Sequence, residues 1–275
     1  MRIGIFTGFS TDSRVRATVE SFVEGIRHLE EDFFVAREYQ PCDVAVVWGI
    51  SSKRAIERTA YRDVVRRKQP NTICLERGFV RRDEYYSVGW YNTGGLGDYC
   101  VAGEVPCDRW AALGVELQGW QLRDGVLLLC GQVPHDTSVQ HIDYPRWLQA
   151  AANELRKRTN TEVIYRPHPL FADLDVRGVS RSSRTLAEDF RRAKAVITFN
   201  STTAVESVIA GIPTYSFDRR SLAYEVSSHS FKTIEKPPTF AREQWAHRLA
   251  YKQWHIDEIA CGKPWLHLKR RLQAQ

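Results

Sequence analysis

The chain has 275 residues, 43% of them apolar and 26% charged, with 39 Lys and Arg against 33 Asp and Glu for a formal net charge of +6. At about 150 residues per domain, this length makes one large domain or two small ones and buries a core without disulfides or a structural metal. The balance excludes disorder, collagen and coiled coil as descriptions of the whole, and no apolar run reaches the roughly 18 residues of a membrane span.

The positive charge is uneven. Residues 1–120 carry 16 basic against 17 acidic groups, residues 121–275 carry 23 against 16, and the short stretch 53–82 carries 10 against 3. The six cysteines, Cys42, Cys74, Cys100, Cys107, Cys130 and Cys261, form no C-x-x-C pair and read as reduced thiols of a cytoplasmic protein.

Along the chain, strand and helix patterns alternate. Arg2–Phe6 reads as a strand that Thr7, Ser10 and Asp12 cut short, unlike a signal peptide. Val15, Val19, Phe22, Val23 and Ile26 mark one face of a helix. Asp43–Trp48 is a continuous apolar run, as in a strand buried on both faces of a parallel sheet. Ser51 or Ser52 caps a helix reaching about Arg67, and Thr72–Leu75 is another buried strand. Residues 76–110, rich in Gly, Tyr, Trp and Asp, show little regular pattern, and a loop of that length is either functional or misread.

A second series follows. Val126–Cys130, Glu162–Tyr165, Ala195–Phe199 and Pro213–Phe217 read as strands. Tyr144–Arg156, Leu186–Arg192 and Thr203–Ala210 read as helices, the last stopped by Gly211. From Ala241 the chain reads as helical and rich in Trp, and Gly119–Gly125 is the candidate hinge. Two successive series predict two α/β units facing a cleft: residues 1–120, and residues 121–254, with a tail of about 255–275 packing back on the first.

Three segments carry candidate chemistry. In AVITFNSTTAVESVIAGIP a buried strand ends at Asn200, and Ser201, Thr202 and Thr203 open a helix with Glu206 one turn in. Hydroxyls and unpaired amides at a positive helix end suit a phosphate, and Glu206 suits a ribose; an ordinary capped helix explains the same residues equally well. In VIYRPHPL, Arg166 and His168 leave a strand on a turn stiffened by two prolines. Arg166 suits bidentate phosphate binding, while a lone loop His is more often structural. In LLLCGQVPHDTSV the strand ends in Gln132, His135, Asp136 and Ser138. Asp136 stands where open α/β sheets bind ligands and suits a base or a nucleophile, although capping its own turn accounts for it locally.

These segments, together with VVWG (46–49) and LERGF (75–79), resemble in order the nucleotide-sugar glycosyltransferases of GT-B type. The likeness is to the Kdo transferases of bacterial capsule synthesis and to phage DNA glycosyltransferases. The resemblance implies two Rossmann-like domains around a central cleft and a bacterial or phage-infected cytoplasm. It also implies a nucleotide-sugar donor, expected to be UDP-linked, held by Gln132, Ser138, Arg166, His168, Ser201, Thr202, Thr203 and Glu206. Asp136 is then catalytic and Glu76 a second acid/base, although the capsule pattern has an acidic pair where this chain has Glu76–Arg77. No D-x-D in a metal-chelating context is present, so no metal is expected and no cofactor is permanently bound.

Arg54, Arg58, Arg62 and Arg66 recur every fourth residue and drift by only about 40° per step, so they form one stripe of a helix. Arg77, Arg81 and Arg82 continue it, beside Tyr85, Tyr86, Trp90, Tyr91 and Tyr99. Basic groups among aromatics suit a nucleic-acid backbone and a stacked base, and a solvated helix face is the plainer explanation. The expectation is sugar transfer to a hydroxymethylated pyrimidine such as 5-hydroxymethylcytosine in DNA, with Arg54, Arg58, Arg62, Arg66, Arg77, Arg81, Arg82, Tyr85 and Trp90 at the acceptor. The alternatives are a capsule or lipopolysaccharide glycosyltransferase and a non-catalytic DNA- or nucleotide-binding module.

Overall fold

A computed structural model describes residues 1–6, 12–49, 71–91 and 94–273. The chain divides into two compact units, Met1–Gly114 with His247–Gln275, and Val115–Ala246.

In unit 1, β1 (Ile3–Phe6) is wholly buried. Asp12 caps α1 (Ser13–His28) by accepting from the Arg14 amide, and the helix buries Val15, Thr18, Val19, Phe22, Gly25 and Ile26 at helical spacing. β2 (Phe33–Ala36), β3 (Val44–Trp48), β4 (Thr72–Arg77) and β5 (Tyr85–Trp90) follow. With β11 (Gln253–His255) they make a six-stranded sheet in the order β11-β5-β4-β3-β1-β2. β1, β2, β3 and β4 run parallel, β5 pairs antiparallel with β4, and β11 pairs antiparallel with β5. A short helix, α2 (Asp108–Leu113), ends the first pass through the unit.

Residues 76–110 are therefore not one long loop. β5 was illegible because Ser87 and Gly89 interrupt its apolar pattern, and both serve the fold. Ser87 is 1% exposed, with its hydroxyl at the Glu76 and Arg77 carbonyls, and a Cβ on Gly89 would sit 2.7 Å from the Tyr99 ring.

Unit 2 is a five-stranded, wholly parallel sheet in the order β10-β9-β6-β7-β8. Its elements in chain order are β6 (Val126–Cys130), α3 (Tyr144–Arg158), β7 (Val163–Arg166), β8 (Ser180–Arg181), α4 (Leu186–Arg192), β9 (Ala193–Thr198), α5 (Thr203–Ile209) and β10 (Thr214–Ser216). Asp143 caps α3 through the Arg146 amide, with Pro145 in the first turn, and Thr185 with Glu188 forms a capping box on α4. The core gathers Leu127, Leu129, Tyr144, Leu148, Leu155, Tyr165 and Ile197.

The chain turns back to unit 1 within α6 (Glu243–Ala250) and, after β11, continues through α7 (Ile256–Ala260), α8 (Lys263–Leu268) and α9 (Arg270–Gln273). α7 lies so close on α1 that a Cβ on Gly25 would stand 2.3 Å from the Ile259 carbonyl. Gln253 is fully buried, and its side chain accepts from the Phe79 and Val80 amides and donates to the Val80 carbonyl. A three-residue strand carrying a polar residue for this purpose does not show in a region that otherwise reads as helix.

The Gly119–Gly125 segment is bound within unit 2. The Gln118 and Gln121 amides donate to the Ile209 and Gly211 carbonyls at 2.9 and 2.7 Å, and a Cβ on Gly125 would meet the Arg192 carbonyl at 2.1 Å. Gly125 permits this close packing, whereas a Cβ on Gly119 would meet open space; in sequence the two look alike.

Candidate functional site

In unit 2 the chain starts at the central strand β6, lays β7 and β8 to one side, then crosses to β9 and β10 on the other. The order reverses between β6 and β9, and ligands of open α/β sheets bind at the carboxyl ends of strands beside such a switch point. Gln132 follows β6 and Asn200 follows β9, 6% and 8% exposed respectively. Gln132 Nε2 donates to Asn200 Oδ1 at 2.8 Å, and the Asn200 amide donates to Gln132 Oε1 at 3.1 Å. Asn200 Nδ2 donates to the Ser138 carbonyl at 2.8 Å and to Asp218 Oδ2 at 2.9 Å. Gln132 Nε2 also reaches Ser138 Oγ at 3.4 Å. The loop after β6 is thereby tied to the ends of β9 and β10.

Asp136 is exposed on that loop. Its Oδ1 accepts from the Ser138 amide at 2.9 Å, and its carbonyl accepts from the Val139 and Gln140 amides. The local turn closes as Asp side chains commonly close it, and it presents the carboxylate at the carboxyl edge of the sheet.

Arg166 and His168 leave the end of β7. Arg166 Nη1 donates to Asp189 Oδ2 at 2.8 Å and to the Arg184 carbonyl at 2.6 Å. Asp189 is 1% exposed and also accepts from the Ser182 hydroxyl. Arg166 thus neutralises a buried carboxylate with one end of its fork. His168 Nδ1 accepts from the Leu170 amide at 3.1 Å, which leaves Nε2 to carry the proton of the neutral ring. At the start of α5 the Ser201 hydroxyl accepts from the Thr203 amide at 3.2 Å and lies 3.1 Å from Thr203 Oγ1. The Thr202 carbonyl takes the Val205 and Glu206 amides, and Thr202 is the cap residue. All eight expected donor residues stand at the ends of three adjacent parallel strands or on the loops and helix that follow them. Gln132 and Ser138 are directly bonded; Arg166, His168 and the hydroxyls are each held by local partners.

In unit 1, Glu76 is the last residue but one of β4, with Oε1 accepting from the Arg77 amide at 2.9 Å. Gly49, at φ +67 after β3, would bring a Cβ to 3.4 Å from Glu76 Oε2. Arg77 pairs with Asp12 at 3.6 Å. Arg81 forks onto Glu84 and reaches the Leu113 carbonyl, Arg82 is exposed, and Tyr85 is half-buried against the His255 ring. Trp90, expected to stack on a base, corrects that expectation. It is fully buried, and its Nε1 donates to the Leu268 carbonyl at 3.2 Å, so it offers no face to a ligand. Arg54, Arg58, Arg62 and Arg66, with the rest of the basic stripe through Lys68, lie outside the described residues. Among the described residues no group of three or more His, Cys, Asp and Glu is placed to hold a metal ion, and no helix is long and apolar enough to cross a membrane.

Sequence reasoning missed Asp218, the third partner of Asn200, and its neighbours His141 and Arg220. Asp218 and Arg220 follow β10, and His141 Nε2 lies 3.1 Å from Asp218 Oδ2. The available signal was the first polar residue after each buried strand, Gln132, Asn200 and Asp218, since these fall on one edge of a parallel sheet.

No protein-family profile matches the chain, and a search of curated proteins finds no match. Among solved structures it is similar to the KpsC β-Kdo 2,7-transferase of Thermosulfurimonas dismutans, with a TM-score of 0.58 and 13% identity over 97% of this chain and 99% of that one. It is also similar to the KpsC β-Kdo 2,4-transferase of the same organism, with a TM-score of 0.55 and 13% identity over 94% and 98%. At these identities the likeness defines the fold: two Rossmann-like α/β units of the GT-B kind.

Proposed function

We propose that the chain is a nucleotide-sugar-dependent glycosyltransferase, with its donor at the carboxyl edge of the unit 2 sheet and a glycan hydroxyl as its acceptor. What chiefly supports this is the polar cluster at the β6–β9 switch point, where Gln132, Ser138 and Asn200 hold the loop that presents Asp136. The end-to-end likeness to two Kdo transferases supplies the class of reaction by analogy. Arg166, His168, Ser201, Thr202 and Thr203 receive the departing phosphate, and Glu206 the ribose.

Asp136 has two balanced roles. As a base it takes the proton of the acceptor hydroxyl while that oxygen attacks the anomeric carbon and the nucleotide leaves, which inverts the centre. As a nucleophile its own oxygen bonds the anomeric carbon as the nucleotide leaves, and the acceptor oxygen then displaces it and gives up its proton, which retains the configuration. Glu76 is the second acid/base candidate.

Hydroxymethylated DNA is the competing acceptor. The aromatic half of its rationale is weakened, because Tyr86, Trp90 and Tyr99 are 4%, 0% and 4% exposed.

The test is to incubate the full chain with CMP-, UDP- and GDP-sugars and either an oligosaccharide or hydroxymethylated duplex DNA, following nucleotide release and sugar transfer. One donor is expected to be consumed with the glycan, EDTA is expected to leave turnover unchanged, and Asp136→Asn is expected to lower turnover by about 10²–10⁴-fold at an unchanged thermal midpoint. Label on DNA alone makes DNA the acceptor. Full turnover by Asp136→Asn removes Asp136 from the chemistry.

A further inference from the structure

Asp218 is the hub of the switch-point cluster, and its oxygens are engaged by groups other than the Arg220 guanidinium. Its Oδ2 accepts from Asn200 Nδ2 at 2.9 Å and faces His141 Nε2 at 3.1 Å, while its Oδ1 accepts from the backbone amide of Arg220 at 3.1 Å. The Arg220 guanidinium stands beside this carboxylate without a hydrogen bond to it: Nη1 is 3.7 Å from Oδ2. That Nη1 is buried and makes no hydrogen bond among the described residues, although the side chain as a whole is 34% exposed.

A guanidinium carries five N–H donors in a fixed fork. Leaving the two N–H groups of the buried Nη1 without an acceptor is unfavourable, and the exposed part of the side chain is where a ligand reaches the cation. The carboxylate fixes where the cation sits, and its oxygens are already engaged, so donors remain for a second anion. The location is the carboxyl end of β10, linked through Asp218 and Asn200 to the loop of Gln132 and Ser138. Arg219, which precedes it, is exposed and adds a second positive charge at the same strand end.

We propose that Arg220 is a donor-binding residue that takes a phosphate oxygen of the nucleotide sugar, and that Asp218, held by Asn200 and His141, is its positioning residue. This rests on the reading of unit 2 as the nucleotide-sugar unit. It adds a contact beyond β10 to those expected at the ends of β7 and β9, so the phosphate is gripped from both sides of the switch point. Arginine suits the role because its planar fork matches phosphate, whereas lysine is a point charge.

Calorimetric titration of the full chain with CMP, UDP and GDP, and with cytidine, uridine and guanosine, tests this. At least one nucleotide is expected to bind, its nucleoside more weakly. Arg220→Gln is expected to raise the Kd of that nucleotide by ~10–100-fold, the range of a charged hydrogen bond, and to leave the nucleoside's Kd unchanged. Asp218→Asn is expected to weaken the nucleotide by a smaller factor. Arg220→Lys keeps the charge and guards against a folding failure of the Gln variant; it is expected to bind several-fold more weakly because the fork is lost. Thermal midpoints of all variants are recorded alongside. Parental affinity in both Arg220 variants overturns the proposal, as does an equal loss for nucleotide and nucleoside. Absence of nucleotide binding by the parent chain is a separate outcome: it overturns the donor assignment, and this inference with it.

Discussion

Gln132 and Asn200 bond to each other twice across the point where the strand order of unit 2 reverses, side chain to side chain at 2.8 Å and backbone amide to side chain at 3.1 Å. Each residue stands two positions past the end of a buried strand, and together they convert two strand ends into one rigid edge. Asn200→Ala leaves Gln132 Nε2, the Ser138 carbonyl and Asp218 Oδ2 each short of one partner. The expected cost is about 2 kcal/mol of unfolding free energy, the scale of buried polar groups left unsatisfied. Urea unfolding of parent and variant measures it, and a change below about 0.5 kcal/mol would show that these bonds contribute little.

Trp90 packs in the unit 1 core with Ile73, Leu75, Val88 and Leu268. Trp90→Ala is expected to destabilise the chain by about 3–5 kcal/mol, as truncation of large buried aromatics does. Trp90→Phe is expected to cost less, since it keeps most of the volume and loses the bond to Leu268. A Trp90→Ala variant with parental stability and impaired acceptor use would return the residue to the surface role first expected of it.

The strands most legible in the sequence were those buried on both faces. Val44–Trp48 and Val126–Cys130 are continuous apolar runs and form the interior strands β3 and β6. The helix faces of α1 and α3 were legible from their spacing, and Gly211 from its position after α5. What stayed hidden had a long-range cause. β5 contains Gly89 because Tyr99 packs over it, and β11 contains Gln253 because residues 79 and 80 need a partner. The site was legible one strand end at a time, but the bond between Gln132 and Asn200 depends on which strands are neighbours, and the Asp218–His141–Arg220 cluster depends on it too. Aromatic residues near basic ones were misleading for the converse reason: composition does not tell a core indole from a stacking surface.

The thiols divide by burial. Cys107 and Cys261 are exposed, whereas Cys74 and Cys130 are buried, and burial pushes both of the latter thiols up to about 12, the nearby Glu76 carboxylate adding to the effect at Cys74. Burial also raises Cys42 and Cys100, which are half-buried. Because the thiolate is the reactive form, a disulfide reagent at pH 8 is expected to label Cys107 and Cys261 first, Cys42 and Cys100 slowly, and Cys74 and Cys130 only on unfolding. Mass spectrometry of timed samples checks the order. Early labelling of Cys130 would mean that the end of β6 opens in solution.

Acid is expected to weaken unit 1 in two stages. Burial pushes the His267 imidazole below its ordinary 6.5, against its bond to the Tyr99 carbonyl and with Arg270 and Arg109 adding to the push. The unfolded chain therefore binds this proton more readily, so the stability held above about pH 6.5 is lost as the pH falls below it. Glu258 supplies the second stage. Burial raises its carboxyl, but the Arg109 fork at 2.8 and 2.9 Å, with the charge behind it, outweighs burial and leaves the group below its ordinary 4.5. Its contribution is present above 4.5 and is lost as the pH falls through the lowered value. Arg109 also lies over the Trp254 ring at 4.2 Å and donates to the Gln253 carbonyl, so this pair ties α2 to β11 and α7. Unfolding free energy measured between pH 8 and about pH 3 is expected to fall below about pH 6.5 and again below about 4.5. His267→Gln should flatten the upper stage. Glu258→Gln should remove about 2 kcal/mol at pH 7, the scale of a lost charged hydrogen bond, and flatten the lower stage. A stability that rises on acidification from pH 7 to pH 5 contradicts the direction of the His267 shift, whatever the two variants do.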